Sequence, residues 1–215
     1  MNDKIKYFVA IMVFGSLWGF SECIIGSQLS GSGFPSGAIM TGFFAMILLT
    51  MSRLFYKKKG MQFGMGLVAG SLRYFNPFGG CHVCSSIAIV AEAFIFELIF
   101  NYLSTLDLTK IKSLTSKAAL GIFSAYSMYV GGTIITQIFT PLSYGSFYFE
   151  NLILAIPTIL ADGLLVALFG AAVVPITIEL SRFNLKISDK LYYPTTVGIT
   201  ALCWIIVVGN FLLLI

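Results

Sequence analysis

Charge is scarce in this chain of 215 residues. Lysine and arginine together number 13, aspartate and glutamate 9 and histidine 1, so that 10% of the residues are charged, against about 25% in ordinary soluble domains. No segment reads G-x-x-x-x-G-K-[ST] or matches another nucleotide-binding motif, and no basic stripe suits nucleic acid. These absences exclude a soluble enzyme, a chain that hydrolyses ATP itself and a nucleic-acid-binding protein.

Apolar residues fill the remainder. They account for 58% of the sequence, and the mean hydropathy is +0.93. Because each membrane-spanning helix needs about 20 apolar residues, the length allows six or seven spans and no separate soluble domain. The sequence therefore predicts a single integral membrane domain over residues 1–215, an all-α polytopic helical bundle in the cell inner membrane or plasma membrane.

Seven apolar segments are separated by short loops that contain Gly, Pro, Ser or charge. They lie near residues 5–29, 37–55, 61–75, 80–104, 117–140, 150–178 and 193–215. The third is short for a span, so six crossings are the alternative. The loops RLFYKKKG, DLTKIKSLTSK and ELSRFNLKISDK are basic, whereas SQLSGSGFPS and TPLSYGSFYFE contain no Lys or Arg. This alternation predicts seven crossings with a cytoplasmic N-terminus.

Acidic residues within spans are the strongest functional signal, and they are Glu22, Glu92, Glu97 and Asp162. A charge at the bilayer centre costs about 2.5 kcal/mol or more, so these side chains should face the bundle interior and be paired, protonated or ligated. Glu97 lies five positions after Glu92, on a different face of the same helix. We expect the outer halves of the first, fourth and sixth helices to converge on a polar pocket.

The stretch NPFGGCHVCSS, residues 76–86, holds two cysteines and the single histidine. Cys81, Cys84 and Glu92 share one face of the fourth helix. Three chemistries stay open: a zinc-like metal site formed by Cys81, His82, Cys84 and Glu22; a redox pair of Cys81 and Cys84 at a helix N-terminus; and a static disulfide, or two packed thiols, after a turn at Gly79 and Gly80. A bound metal ion is the only cofactor that the sequence suggests.

Residues 34–72, FPSGAIMTGFFAMILLTMSRLFYKKKGMQFGMGLVAGSL, carry a Pro and Gly entry to the second helix, a short basic turn and a Gly-rich third helix. In this pattern the chain resembles the substrate-binding S components of energy-coupling factor (ECF) transporters. The resemblance implies capture of a vitamin or metal ion at the outer face, with a transmembrane coupling subunit and ATPases as partners. It also implies that SQLSGSGFPS is an outer lid and that Gly15, Ser16 and Gly19 form a docking surface. Such proteins typically have six helices, and their metal-specific members begin with Met-His, which this chain lacks.

The sequence thus predicts a transport or binding protein rather than an enzyme, namely the membrane-embedded, substrate-capturing subunit of a small-molecule or metal-ion uptake transporter. Its substrate would bind to Glu22, His82, Glu92 and Asp162, and its other partners would be membrane lipid, the coupling subunit and the ATPases. Two alternatives remain. One is a membrane thiol-disulfide oxidoreductase that uses Cys81 and Cys84, and the other is a proton-coupled carrier in which Glu92, Glu97 and Asp162 relay protons.

Overall fold

The computed structural model describes residues 3–76, 81–103, 108–144, 149–181 and 189–214, and these residues contain helices and turns but no strand. The helices are α1 (Asp3–Ser21, continuing through a π-helical turn, Glu22–Gly26, into Ser27–Gly31), α2 (Ser36–Ile39, π-helical Met40–Ala45, then Met46–Phe55), α3 (Met61–Tyr74), α4 (His82–Leu98, ending in π-helical Ile99–Leu103), α5 (Leu114–Tyr144), α6 (Phe149–Leu180) and α7 (Asp189–Leu214). A short 3₁₀ turn, Leu108–Lys110, precedes α5. The predicted all-α bundle is confirmed.

Six of these helices are long and apolar enough to cross a membrane. Within the described ranges they are Lys4–Gly31, Ser36–Phe55, His82–Asn101, Leu114–Phe139, Asn151–Leu180 and Tyr192–Leu213. The chain is therefore a multi-pass membrane protein. Helix α3, with 14 residues, is only about 21 Å long and is too short to qualify by length.

The two ends of the α3 segment nevertheless contact positions on α1 that are far apart along the bundle. Before α3 begins, the hydroxyl of Tyr7 donates to the main-chain oxygen of Lys59 at 2.9 Å. At its other end Arg73 donates to Oγ of Ser27 at 3.4 Å. Tyr7 and Ser27 are separated on α1 by a rise of roughly 30 Å, which is the thickness of the hydrocarbon core. The short helix and its flanking residues therefore cover the depth that a span needs.

Helices α1, α3, α4, α5, α6 and α2 pack in that order around the bundle, and α2 closes the ring against α1. The core inside this ring includes the fully buried side chains of Trp18, Met46, Leu49, Met65 and Phe96. Helix α7 lies outside the ring and packs chiefly on α1. Its outward side chains are strongly exposed, for example Ile205 at 71% and Leu213 at 86%, as expected of a helix that faces lipid.

The closest helix contact lies between α5 and α6, where Gly121 faces Gly170. A Cβ atom at Gly121 would come within 2.1 Å of the main-chain oxygen of Gly170. Only residues without a side chain allow two backbones to approach this closely. Near the predicted cytoplasmic ends of the same helices, Nζ of the buried Lys117 contacts Oε1 of Glu179 at 2.5 Å.

The orientation stays a prediction, because it depends on charge in the loops. Two of the basic residues that support it, Arg182 and Lys186, lie outside the described residues. The predicted turn at Gly79 and Gly80 before α4 also lies outside them.

Candidate binding site

Helix α1 changes to π-helical geometry at Glu22, and the wider turn continues to Gly26. Such turns are rare and occur frequently at functional sites. The indole Nε1 of Trp18 donates a hydrogen bond of 3.3 Å to Oε1 of Glu22. Glu22 is half-buried, so its side chain lies within the bundle while part of its surface remains accessible.

The π-helical turn of α2, Met40–Ala45, brings Thr41 to Glu92 of α4. Oγ1 of Thr41 donates a hydrogen bond of 2.7 Å to Oε1 of Glu92, which is 5% exposed. Gly132 of α5 lies against the same side chain, since a Cβ atom there would come within 2.8 Å of Cγ of Glu92. Helices α2, α4 and α5 thus enclose this carboxylate.

The structure brings Glu22, Glu92 and Asp162 into one neighbourhood. The carboxylates of Glu22 and Glu92 are close enough to interact electrostatically. Tyr129 of α5 interacts electrostatically with Glu92, and its hydroxyl donates a long hydrogen bond of 3.4 Å to Oδ2 of Asp162. We call these three acidic residues, with Thr41 and Tyr129, the carboxylate cluster.

Arg73 of α3 is the positive group beside this cluster. Its guanidinium interacts electrostatically with Glu22, although Nη1 donates to the main-chain oxygen of that residue at 3.3 Å rather than to its carboxylate. In the described residues this guanidinium lies beside Glu22, and no basic side chain contacts Glu92 or Asp162. Because the acidic side chains of the cluster outnumber the basic ones beside it, the site favours a ligand that supplies positive charge or hydrogen-bond donors.

The two glutamates also have acceptor capacity to spare. Trp18 and Thr41 each donate to Oε1 of their glutamate, and Oε2 of each accepts no hydrogen bond from the described residues. Burial and mutual repulsion both disfavour two ionised carboxylates at this depth. A shared proton, a cation or a donor-rich solute would each relieve the repulsion.

Glu97 has a different role, because its carboxylate caps the N-terminus of α3. Oε2 accepts a hydrogen bond of 2.8 Å from the main-chain N–H of Phe63, and Oε1 accepts another from that of Gly60. Gly60 has a φ of +84°, which favours glycine at this position. A proton relay through Glu97 would have to disrupt the start of α3.

The cysteine and histidine segment lies apart from the carboxylate cluster. His82 begins α4 and is therefore roughly 15 Å above Glu92 along the helix. Cys81 and Cys84 are joined by a disulfide. Sγ of Cys81 also accepts a hydrogen bond from the main-chain N–H of Cys84 at 3.1 Å, which caps α4. A disulfide at a helix start is compatible with both the static disulfide and the redox pair.

The predicted metal set of Cys81, His82, Cys84 and Glu22 is not assembled here. A disulfide offers no thiolate to a metal ion, and Glu22 belongs to the carboxylate cluster. In the described part of the chain, no three His, Cys, Asp or Glu side chains are grouped as metal ligands. The second cysteine pair, Cys23 and Cys203, is reduced and shares one buried apolar cluster between α1 and α7.

Two cavities open on the surface of the described helices, and neither is lined by a residue of the carboxylate cluster. A small cavity of about 310 Å³ is lined by Ile24, Ser27, Gln28, Gly31 and Ser32, which follow Glu22 on α1. A larger groove of about 600 Å³ between α3, α4 and α5 is almost wholly apolar, with Leu67, Val90 and Phe94 among its lining. This groove opens on the apolar outer surface of the bundle, which would face lipid.

Sequence reasoning missed Trp18, Thr41, Arg73 and Tyr129 as contributors. Threonine and tyrosine are unremarkable in a membrane span, and nothing in their spacing marks a partner on another helix. Arg73 did carry a signal, because it lies outside the three basic loops on which the predicted orientation depends. A search for the polar residues at the same predicted depth as Glu22 would have found it.

Comparisons with known proteins give one distant relative. No family model matches the chain, and no solved structure matches it. The uncharacterized protein MJ0923 of Methanocaldococcus jannaschii is 29% identical over 174 residues, a match that covers 70% of this chain and 59% of the relative. The chain thus spans about three fifths of the length of that relative, whose printed name states no activity.

Proposed function

We propose that this chain is the substrate-capturing subunit of an uptake system in the cell inner membrane or plasma membrane. Its substrate, a small solute or a metal ion, binds the carboxylate cluster from the outer face; because the three acids of the described cluster are not grouped as metal ligands, a solute fits it better than a metal ion. The observation that carries this proposal is the convergence of Glu22, Glu92 and Asp162 from three helices, with one nearby guanidinium. Intramembrane acidic residues that face the bundle interior typically mark a substrate or ion path.

The connection between α1 and α2 supports a lid above this site. Residues 31–35 are exposed, and they join the π turn that begins at Glu22 to the π turn that contains Thr41. Movement of this connection would act on both sides of the site. The resemblance to ECF S components implies the same lid.

Under this proposal another protein must supply the energy for transport. The sequence contains no nucleotide-binding motif, so a coupling subunit with ATPases would drive release. A donor-rich or cationic ligand fits the charge balance of the cluster better than an anion does.

Native mass spectrometry of the gently purified protein tests the proposal. We expect an adduct, organic or metallic, that disappears in Glu92→Gln and persists in Asn210→Ala, which removes an exposed polar side chain of α7 that bonds only to its own helix. Glu92→Asp, which keeps the charge on a shorter side chain, should retain part of the adduct. An adduct that is equally abundant in the parent chain and in Glu92→Gln would remove Glu92 from the site.

A thiol-disulfide oxidoreductase is the second candidate, and the Cys81–Cys84 disulfide favours it. Cys81 is exposed at the start of α4, where a helix N-terminus favours a thiolate after reduction. Under this alternative Cys81→Ser abolishes electron transfer while Glu22→Gln leaves it intact. A spectrum that shows an empty chain with a reducible Cys81–Cys84 bond would move the assignment to this candidate or to a structural disulfide.

A further inference from the structure

A second polar group lies in the predicted cytoplasmic half, where the end of α2, the start of α3 and the end of α4 meet. Nε2 of Gln62 donates to Oγ of Ser52 at 3.2 Å. Nη2 of Arg53 donates to the main-chain oxygen of Phe100 at 3.2 Å. These hydrogen bonds join the three helices at one level.

Three buried polar atoms at this level have no hydrogen-bond partner among the described residues: Oγ1 of Thr50, Oε1 of Gln62 and Nδ2 of Asn101. Their side chains are 1%, 0% and 9% exposed, respectively. Burial of a polar group without a partner is costly, and native proteins leave few such groups. The cost is greatest within a membrane, where lipid offers no hydrogen bond.

We propose that the cytoplasmic ends of α2, α3 and α4 enclose a hydrated chamber in which ordered water binds Thr50, Gln62 and Asn101. Water suits this set because Gln62 offers an acceptor, Asn101 a donor and Thr50 either. Buried water typically makes about three hydrogen bonds to groups of this kind. A metal ion would leave the donor of Asn101 unpaired.

An apolar layer separates this chamber from the carboxylate cluster. Thr41 and Thr50 are nine positions apart on α2, a rise of roughly 13 Å. Between these levels lie Met46, Leu49 and, from neighbouring helices, Met65 and Phe96, all fully buried. The bundle thus has an outer polar site, an apolar barrier and an inner hydrated chamber. That the chamber serves as the exit for substrate rests on the proposed function, whereas its hydration does not.

Thiol labelling tests the hydration. Gln62→Cys and Met65→Cys place a thiol at two fully buried positions of α3, one in the chamber and one in the apolar layer. With a charged, membrane-impermeant thiosulfonate, we expect Gln62→Cys to react at least tenfold faster than Met65→Cys, and only when the reagent is on the cytoplasmic side. The parent chain, whose cysteines are buried or bonded, gives the background. Equal rates, or faster labelling from the outer side, overturn the proposal.

A near-isosteric change provides a test that does not need a reactive thiol. If Thr50 binds water, Thr50→Val loses that hydrogen bond and the unfolding temperature falls by a few degrees. If the site is dry, Thr50→Val removes an unpaired hydroxyl and the temperature rises, which overturns the proposal. Thr133→Val is the control, because Oγ1 of Thr133 already donates to Tyr129 of its own helix. Neither test involves Glu92, so failure of the substrate site would leave these results unchanged.

Discussion

Glu92 and Glu97 lie on the same buried helix, and both are 5% exposed, yet their surroundings differ. Glu97 accepts two main-chain hydrogen bonds and thereby begins α3. Glu92 accepts one side-chain hydrogen bond, from Thr41, and lies within electrostatic range of Glu22. Burial alone therefore does not distinguish a structural acid from a functional one. The distinction lies in whether the protein itself supplies all the partners.

Removal of Glu97 should have the largest effect on stability. Glu97→Ala leaves the N–H groups of Gly60 and Phe63 without their side-chain acceptor at the start of α3, and we expect a loss of about 1–3 kcal/mol of unfolding free energy. Glu97→Gln retains one acceptor oxygen and should lose less. Thermal unfolding in lipid nanodiscs measures both. Wild-type stability in Glu97→Ala would contradict the capping role.

Glu92 should show the opposite pattern, with a large effect on ligand and a small one on stability. Glu92→Gln relieves repulsion from Glu22 while keeping an acceptor for Thr41, so the unfolding temperature should stay unchanged or rise. We expect ligand affinity to fall more than tenfold, or by about 1.4 kcal/mol. A parallel loss of stability and affinity would place Glu92 in the same structural class as Glu97.

A matched pair of glycines tests the position of the Glu92 side chain. An added Cβ at Gly132 would meet Cγ of Glu92 at 2.8 Å, whereas one at Gly131 would meet the flexible end of Ile95 at 2.5 Å. Gly132→Ala should therefore displace the carboxylate and weaken ligand binding by roughly tenfold. Gly131→Ala should leave affinity near that of the parent. Equal affinities in the two variants, measured by titration, would show that binding tolerates movement of Glu92.

The smallest effect should come from the edge of the cluster. Tyr129→Phe removes only the long hydrogen bond to Asp162, and we expect less than about fivefold loss of affinity, equivalent to ~1 kcal/mol. The same titration measures it. A loss as large as that of Glu92→Gln would move Tyr129 and Asp162 from the edge of the site to its centre.

The sequence predicts six of the described helices well, because each of these is a long apolar run bounded by polar residues, whereas α3 is short. It also identifies Glu22, Glu92 and Asp162, since an acidic residue in a span is expensive wherever it lies. The sequence does not predict which residues of other helices surround these acidic side chains. The partners of Glu97 lie 34 and 37 residues away in the chain, and the π turns at Glu22 and Met40 leave no periodic mark. A shared helical face also did not predict proximity. Cys84 and Glu92 lie on the same face of α4 but at different depths in the bundle.

The dependence of α3 on Glu97 has a consequence for biogenesis. At 14 residues, α3 is a poor candidate for independent insertion as it leaves the ribosome. The carboxylate that completes its first turn belongs to α4, which is synthesised later. We therefore expect α3 to remain at the interface until α4 emerges and then to enter the bilayer as part of a helical hairpin. A nascent chain truncated before α4 would expose the α3 segment to proteases that reach only the aqueous side.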